Sequence, residues 1–308
     1  MNADTAAAST GPAAKPLALV TGASSGIGRE LAARFARHGF DLVVCADDDR
    51  LDAAADALRR LGADTVAVRA DLALYDGVER LHQAVTATGR PLAAAALNAG
   101  VGTRGAFLDA DLADLARVID LNVTSTTHLA HRLLPGMVAA GSGRLLVVSS
   151  VAALVPGPHQ AVYGATKAYL RSLGESLRDE LRGTGVTVTT VLPGATDTDF
   201  FRRAGLEDTL LGRWRHKDDP ALVAAQAYAG LMRGRRVVHA GSLPSRFGAR
   251  AAALLPHALT GRALGYGFRE RGPAAGERVA GADRAGDLGG SGGTRGGGSR
   301  GAAAGAGP

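Results

Sequence analysis

Tyr163 and Lys167 stand four residues apart in Tyr-Gly-Ala-Thr-Lys, in a chain whose only other lysines are Lys15 and Lys217. Arginine carries nearly all of the positive charge, so a lysine at this spot points to chemistry rather than general basicity. Four residues is about one helical turn, which puts both side chains on one face of a helix. A free tyrosine has a pKa of about 10, too high for efficient proton transfer at neutral pH. A neighbouring ammonium favours the phenolate and lowers that value, which makes the tyrosine a usable general acid or base. Most pairs at this spacing are no more than a half-buried tyrosine beside a solvated lysine. The rest of the chain decides between the two.

Such a pair needs a scaffold, and the apolar pattern supplies one. Short apolar runs recur at Leu17–Val20, Leu42–Ala46, Thr65–Val68, Ala93–Leu97, Arg144–Val148, Val186–Leu192 and Val237–Ala240. They show little polar alternation, as strands covered on both faces do. The stretches between them are long enough for helices, with Gly or Asp/Ser/Thr at many junctions. Seven strands joined by crossover helices predict an α/β fold: a single-domain, doubly wound parallel sheet with helices on both faces. Ala93–Leu97 is ambiguous, since four consecutive alanines suit a helix equally well by propensity.

Thr21-Gly22-Ala23-Ser24-Ser25-Gly26-Ile27-Gly28 directly follows the first run and opens a helix expected over Arg29–His38. Glycines here let the backbone approach a pyrophosphate, whose charge is favoured at a helix N-terminus. A tight turn would use similar residues, so the placement between a strand and a helix is what gives the loop meaning.

With these residues the chain resembles the short-chain dehydrogenase/reductase family. Thr21–Gly28 resembles the family's Thr-Gly-x-x-x-Gly-x-Gly motif, and Asn98-Ala99-Gly100 its Asn-Ala-Gly motif at the end of strand four. Asn122 in Leu-Asn-Val corresponds to the active-site helix asparagine. Ser150 lies thirteen residues before Tyr163, the family's spacing, and Tyr163-x-x-x-Lys167 completes a tetrad. Pro193-Gly194 with Thr198 resembles the segment that touches the nicotinamide. The motifs run in order over residues 17–200, and the likeness extends to about residue 240.

The resemblance implies hydride transfer between NAD(P) and an alcohol or carbonyl. Tyr163 would move the proton, and Lys167 would depress its pKa and bind the nicotinamide ribose. Ser150 would hold the substrate oxygen, and Asn122 would hold a water linking the lysine to solvent. Ser149 is the rival of Ser150, and only the family spacing selects between them. Gly22, Ser24, Ser25, Gly26, Ile27, Gly28, Asn98, Ala99, Gly100, Pro193, Gly194 and Thr198 would line the dinucleotide, with Tyr163 and Lys167. Asp71 and Leu72, after the third run, would meet its adenine. A dinucleotide-binding sensor or scaffold without significant turnover is the alternative from another class. The intact tetrad argues against it.

Cofactor choice turns on the end of the second run. The family's NAD-selecting acid would fall at Ala46 and its NADP-selecting arginine at Asp47, so the chain departs from both patterns. An aspartate beside the ribose would repel a phosphate dianion, so Asp47 leans the reading to NAD over NADP. Arg50 is the nearest cation. Asp47-Asp48-Asp49 reads as a solvated turn rather than a metal site, and none of His38, His82, His128 or His131 has metal-ligand spacing.

After Thr198 come Phe200, Phe201, Leu206, Leu210, Leu211 and Trp214, in a chain with only 4% aromatic residues. By resemblance this is a lid over the substrate, and its composition predicts an apolar pocket wall. Short helices packing as ordinary core would use the same residues. His159 stands near the expected substrate mouth.

Domain boundaries are expected at a disordered N-terminus over 1–16, the catalytic domain over 17–241, an amphipathic extension over 242–270 and a disordered tail over 271–308. The tail holds 14 glycines and no aromatic residue, too little apolar surface to offset its ordering entropy. Pro244 and Pro256 are expected to interrupt any single long helix in the extension. The formal charge of +6 comes without a Lys/Arg block interleaved with aromatics, so no nucleic-acid partner is expected. A membrane-surface role for the extension is the less favoured reading. Cys45 is the only cysteine, which excludes an intrachain disulfide. With no leader pattern and no spanning apolar run, the expected compartment is cytoplasmic. Helices around Asp111–Val138 and Ala165–Arg182 would, by resemblance, pair subunits into a homodimer or homotetramer.

Overall fold

The computed structural model describes residues 14–103, 105–204 and 217–254, all within one unit that spans 1–270. The expected N-terminal disorder (apart from residues 14–16), the lid residues Leu206, Leu210, Leu211 and Trp214, Pro256 and the tail from 271 lie outside the described residues.

Each apolar run forms a strand: β1 (Leu17–Thr21), β2 (Asp41–Ala46), β3 (Thr65–Arg69), β4 (Leu92–Leu97), β5 (Gly143–Val148), β6 (Val186–Pro193) and β7 (Val237–Ala240). All pairings are parallel, in the order β3-β2-β1-β4-β5-β6-β7. Between them run α1 (Gly26–Arg37), α2 (Arg50–Arg60), α3 (Tyr75–Ala87), α4 (Leu112–Ile119), α5 (Ser125–Ala139), α6 (Ala161–Glu180), the short α7 (Phe200–Arg203), α8 (Pro220–Met232) and α9 (Leu243–Leu254). This is the doubly wound α/β sheet that the strand pattern predicts.

The two-residue strand period divides the core between the faces of the sheet. Ala18 and Val20 of β1 with Leu42 and Val44 of β2 pack against Leu31 and Phe35 of α1, Leu51 of α2 and Leu231 of α8. Leu17 and Leu19 with Val43 and Cys45 face the other way, against Leu81 of α3, Leu129 and Met137 of α5 and Leu170 of α6. Burying one such Leu or Phe side chain stabilises the fold by about 1.5–3 kcal/mol. Phe35 also meets Phe40 and Tyr228 edge-on, each with ring centroids 5.1 Å apart.

The alanine run resolves as a strand. Ala94, Ala95 and Ala96 are fully buried between β1 and β5, where tertiary context overrides helix propensity. Full cover on both faces fails at one edge of the sheet: in β3, Val66 is 45% exposed. At the C-terminal end, Pro244 lies inside α9 rather than interrupting it. In the first turn of a helix the missing N–H of proline costs nothing.

Candidate active site

Strand order reverses between β1 and β4, so the chain leaves these neighbours in opposite directions and opens a crevice at their carboxyl ends. The glycine-rich loop forms one wall. Thr21 Oγ1 accepts bonds from the N–H groups of Asn98 (2.9 Å) and Ala99 (3.0 Å). Asn98 Nδ2 returns bonds to the carbonyls of Thr21 (3.0 Å) and Gly22 (3.4 Å). The Asn98-Ala99-Gly100 turn is thereby stitched to the loop. A Cβ at Gly28 would run into the Gly22 carbonyl oxygen and lie 2.5 Å from Asn98 Nδ2, so only glycine lets the chain fold this closely. A Cβ at Gly26 would lie 2.9 Å from Thr198 Cγ2 across the crevice.

The N-terminus of α1 has no acidic residue in its first turn and no side-chain cap. Its positive end is therefore available to an anion. A glycine cradle beneath a helix N-terminus, with carboxylates at the end of β2, fits a dinucleotide's pyrophosphate and ribose.

The opposite wall carries the tetrad. Residues Asp120–Thr124 form a π-helical turn between α4 and α5, and they hold Asn122 fully buried. Asn122 Oδ1 accepts from Val101 N (2.9 Å), and its Nδ2 donates to Val101 O (2.9 Å) and Thr166 Oγ1 (3.0 Å). A π turn widens the helix, a device frequent at functional sites. A Cβ at Gly100 would lie 3.0 Å from Asn122 Oδ1 and 3.3 Å from Lys167 Nζ, so the turn after β4 runs close to both.

Tyr163 and Lys167 occupy successive turns of α6, and Lys167 Nζ lies 5.7 Å from the centre of the Tyr163 ring. Lys167 is buried and donates to Val148 O at 3.2 Å. Burial pushes its ammonium down to about 8. Burial likewise pushes Tyr163 up to about 12, against a hydrogen bond with Ser150 that lowers it. In this balance desolvation outweighs the Ser150 hydrogen bond. The two serines separate by role. Ser149 is buried and donates to Lys167 O at 2.7 Å, whereas Ser150 faces Tyr163.

At the rim, the three adjacent aspartates take different partners. Asp47 turns toward Arg117, 3.7 Å away, and Asp49 pairs with Arg69. Asp48 instead reaches the glycine-rich loop, accepting Ser24 Oγ at 2.9 Å. Arg50's hydrogen bonds, aided by Ser24, hold the Asp48 carboxyl down to about 2 despite partial burial. Asp71 binds Arg117 at 2.9 Å, and the Leu72 side chain is buried in the core. Nothing in the composition of three consecutive aspartates separates Asp48 from its neighbours.

Thr198 and Phe200 close the crevice from above. The Phe200 ring lies 5.2 Å from that of Tyr163, and a Cβ at Gly102 would come within 2.7 Å of Phe200 Cζ. Gln160, buried at the start of α6, donates to Thr103 O and joins the two loops flanking the tyrosine. Sequence reading passed over Gln160; its only signal was a polar residue just ahead of the tyrosine helix. The neighbouring His159 holds a left-handed backbone with φ of 66°, a conformation uncommon for a side chain of this kind. Pro193 ends β6 beside Ala240, and Gly194 N donates to Ala240 O at 3.2 Å.

Residues 16–208 match the family model described as short chain dehydrogenase. A sulfoacetaldehyde reductase 2 of Chromohalobacter salexigens is 35% identical over 190 residues, covering 60% of this chain and 74% of that one. A short-chain dehydrogenase from Sphingobium yanoikuyae in complex with NADPH superposes with a TM-score of 0.70 at 33% identity, covering 84% of this chain and 98% of that one. A family member from Burkholderia phymatum in complex with NAD gives 0.69 at 26% identity, covering 77% and 92%. The chain belongs to the short-chain dehydrogenase family. It is an NAD(P)-dependent oxidoreductase acting on CH–OH and carbonyl groups.

Proposed function

We propose that this enzyme interconverts a hydrophobic carbonyl compound and its secondary alcohol, with Tyr163 as the proton-transferring residue and NAD(H) as the preferred dinucleotide. The observation that carries the reading is the convergence of Ser150 and Lys167 on Tyr163 at the floor of the crevice. The dinucleotide supplies or accepts the hydride. In the reducing direction Tyr163, protonated at neutral pH, gives its proton to the carbonyl oxygen as the hydride reaches the carbon. Ser150 donates to the same oxygen and stabilises the charge developing there. Lys167, positively charged near pH 7, offsets the phenolate left behind and also serves the nicotinamide ribose. Asn122 fixes the Val101 backbone and Thr166, which keeps α6 in register with the crevice. A binding protein without turnover has no need of this set.

Apolar groups support the substrate class. Phe200 packs with Ala195 and Ala204 beside Tyr163. Asp48 supports the dinucleotide preference. It occupies both Ser24 Oγ and the Arg50 guanidinium, the donors that a 2′-phosphate would need. A thermal-shift titration with NAD⁺, NADH, NADP⁺ and NADPH tests this. A ligand at a hundredfold excess over its Kd stabilises the fold by about 2.7 kcal/mol. The larger shift is expected with NAD(H), and Asp48→Asn is expected to move the preference toward NADP(H). A larger NADPH shift in the wild type would reverse the assignment, and no shift with any of the four would remove the enzymatic reading.

Self-association is the second part of the proposal. An open apolar groove of about 390 Å³ lies between the π turn and α6, lined by Ile119, Val123, Ala161, Val162, Ala165, Thr166 and Tyr169. Ile119 and Tyr169 are 44% and 41% exposed. A second copy of the same helices suits this face, giving a dimer or a tetramer. Sedimentation at micromolar concentration should show an oligomer that Ala165→Glu dissociates; a wild-type monomer would count against the pairing. No described helix is long and apolar enough to cross a membrane. A single buried cysteine suits work in the cytoplasm.

A further inference from the structure

We infer that Arg50 is a positioning residue that ties the carboxylate beside the glycine-rich loop to the segment covering Tyr163. The inference rests on the dinucleotide-dependent reading above and adds a physical link between its two ends.

Arg50 opens α2, and its partner Asp199 lies 149 positions further along the chain. The guanidinium is shared between two carboxylates. Its Nε donates to Asp48 Oδ1 at 3.1 Å and its Nη2 to Asp48 Oδ2 at 2.8 Å, a two-point grip. Its Nη1 donates to Asp199 Oδ2. Asp48 also holds Ser24 Oγ, and Asp199 also takes Arg202 Nη2 at 2.9 Å. A continuous set of contacts therefore runs from the glycine-rich loop through Asp48 and Arg50 to Asp199. Asp199 stands between Thr198, which meets Gly26, and Phe200, which covers Tyr163.

These side chains are partly exposed, so the pairs add little to global stability. Their contribution is geometric. A planar fork engaging two carboxylates sets the angle between them, which a point-charged lysine cannot do. Asp48 and Asp199 are both held below the usual carboxylate range by their arginine partners, so the contacts stay charged through neutral pH. Whatever restrains Asp48 restrains Arg50, and through it Asp199 and Phe200. Dinucleotide binding at one end and closure over Tyr163 at the other are thereby coupled, and such coupling is reciprocal.

The test is tryptic cleavage after Arg202 in the full chain, followed by mass spectrometry with and without NADH, alongside direct NADH titration. In the wild type NADH should slow this cleavage. Arg50→Gln and Asp199→Asn should each speed it in the unliganded protein by about two- to fivefold, the scale of one exposed charge pair. Adding Arg50→Gln to Asp199→Asn should raise the rate no further, since Asp199→Asn, which also frees Arg202, already removes the contact by which Arg50 holds this segment. Arg50→Gln should also weaken NADH binding severalfold and reduce the protection that NADH confers. Unchanged cleavage in both single variants, or independent effects in the double variant, would overturn the link. Failure of the wild type to bind NADH would instead overturn the NAD(H) preference proposed above, while the unliganded cleavage rates still judge the link.

Discussion

Tyr163→Phe is expected to lower turnover by about 10²–10⁴-fold, the usual worth of one positioned proton donor, while dinucleotide affinity stays nearly unchanged. The substitution keeps the ring beside Phe200 and removes only the hydroxyl with its Ser150 bond. Because burial pushes that hydroxyl up to about 12, it carries its proton at pH 7 and is ready to donate. Lys167 sets the pH dependence. Its ammonium, pushed down to about 8, is charged below that pH and neutral above it. The cation that offsets the nascent phenolate is then lost as pH rises. The kcat/KM for carbonyl reduction should fall through about pH 8, measured as initial rates with NADH and a panel of aryl and alkyl ketones. Lys167→Met should remove this limb together with most of the rate. A Tyr163→Phe enzyme of undiminished turnover would take the tyrosine out of the chemistry.

Gly28→Ala should damage the opposite wall without touching a reacting atom. The added methyl would strike the Gly22 carbonyl and crowd Asn98 Nδ2, so backbone must move rather than a flexible side chain. Overpacking of this kind costs about 1–3 kcal/mol, and each kcal/mol lowers Tm by about 2–4 °C in a domain of this size. The same displacement misplaces the loop facing the pyrophosphate. NADH affinity should fall about tenfold or more, since each ~1.4 kcal/mol is a factor of ten. Gly136→Ala is the control: a methyl there meets nothing within 4 Å, in the last turn of α5. Removing glycine from a helix interior gains roughly 0.5–1 kcal/mol. If both variants melt and bind alike, the close approach at Gly28 does not matter.

The sheet was readable because buried parallel strands leave apolar runs that chain order arranges in only a few ways. Ala93–Leu97 was the exception: its strand identity comes from neighbours on both sides, which propensity does not report. Exposure of Val66 follows from β3 standing at the sheet edge, a fact of strand order rather than of local sequence. The glycine-rich loop and the Tyr163–Lys167 pair were legible because their spacing is local to single elements, whereas Asn122 and Ser150 were placed by the family resemblance. Which of three adjacent aspartates meets Ser24 was not, because it depends on how the chain turns after β2. The Arg50–Asp199 pairing left no sequence trace, since the partners lie 149 positions apart. Nor does spacing carry desolvation, which pushes Tyr163 up to about 12.

The stitching of Thr21 to Asn98 bears on when the crevice comes into being. These residues are 77 positions apart, and the bonds between them join the first wound half of the sheet to the second. Strand pairings within the first half close after about half that chain length or less, with Leu42 beside Thr65 and Leu17 beside Asp41. Contacts between distant positions must pay loop-closure entropy before any enthalpy returns. Until β4 docks on β1, the glycine-rich loop has no Asn98 to shape it and the newly made chain has no nucleotide pocket. The geometry that shapes the glycine-rich loop is therefore a property of the seam between the halves, and it is lost wherever that seam opens.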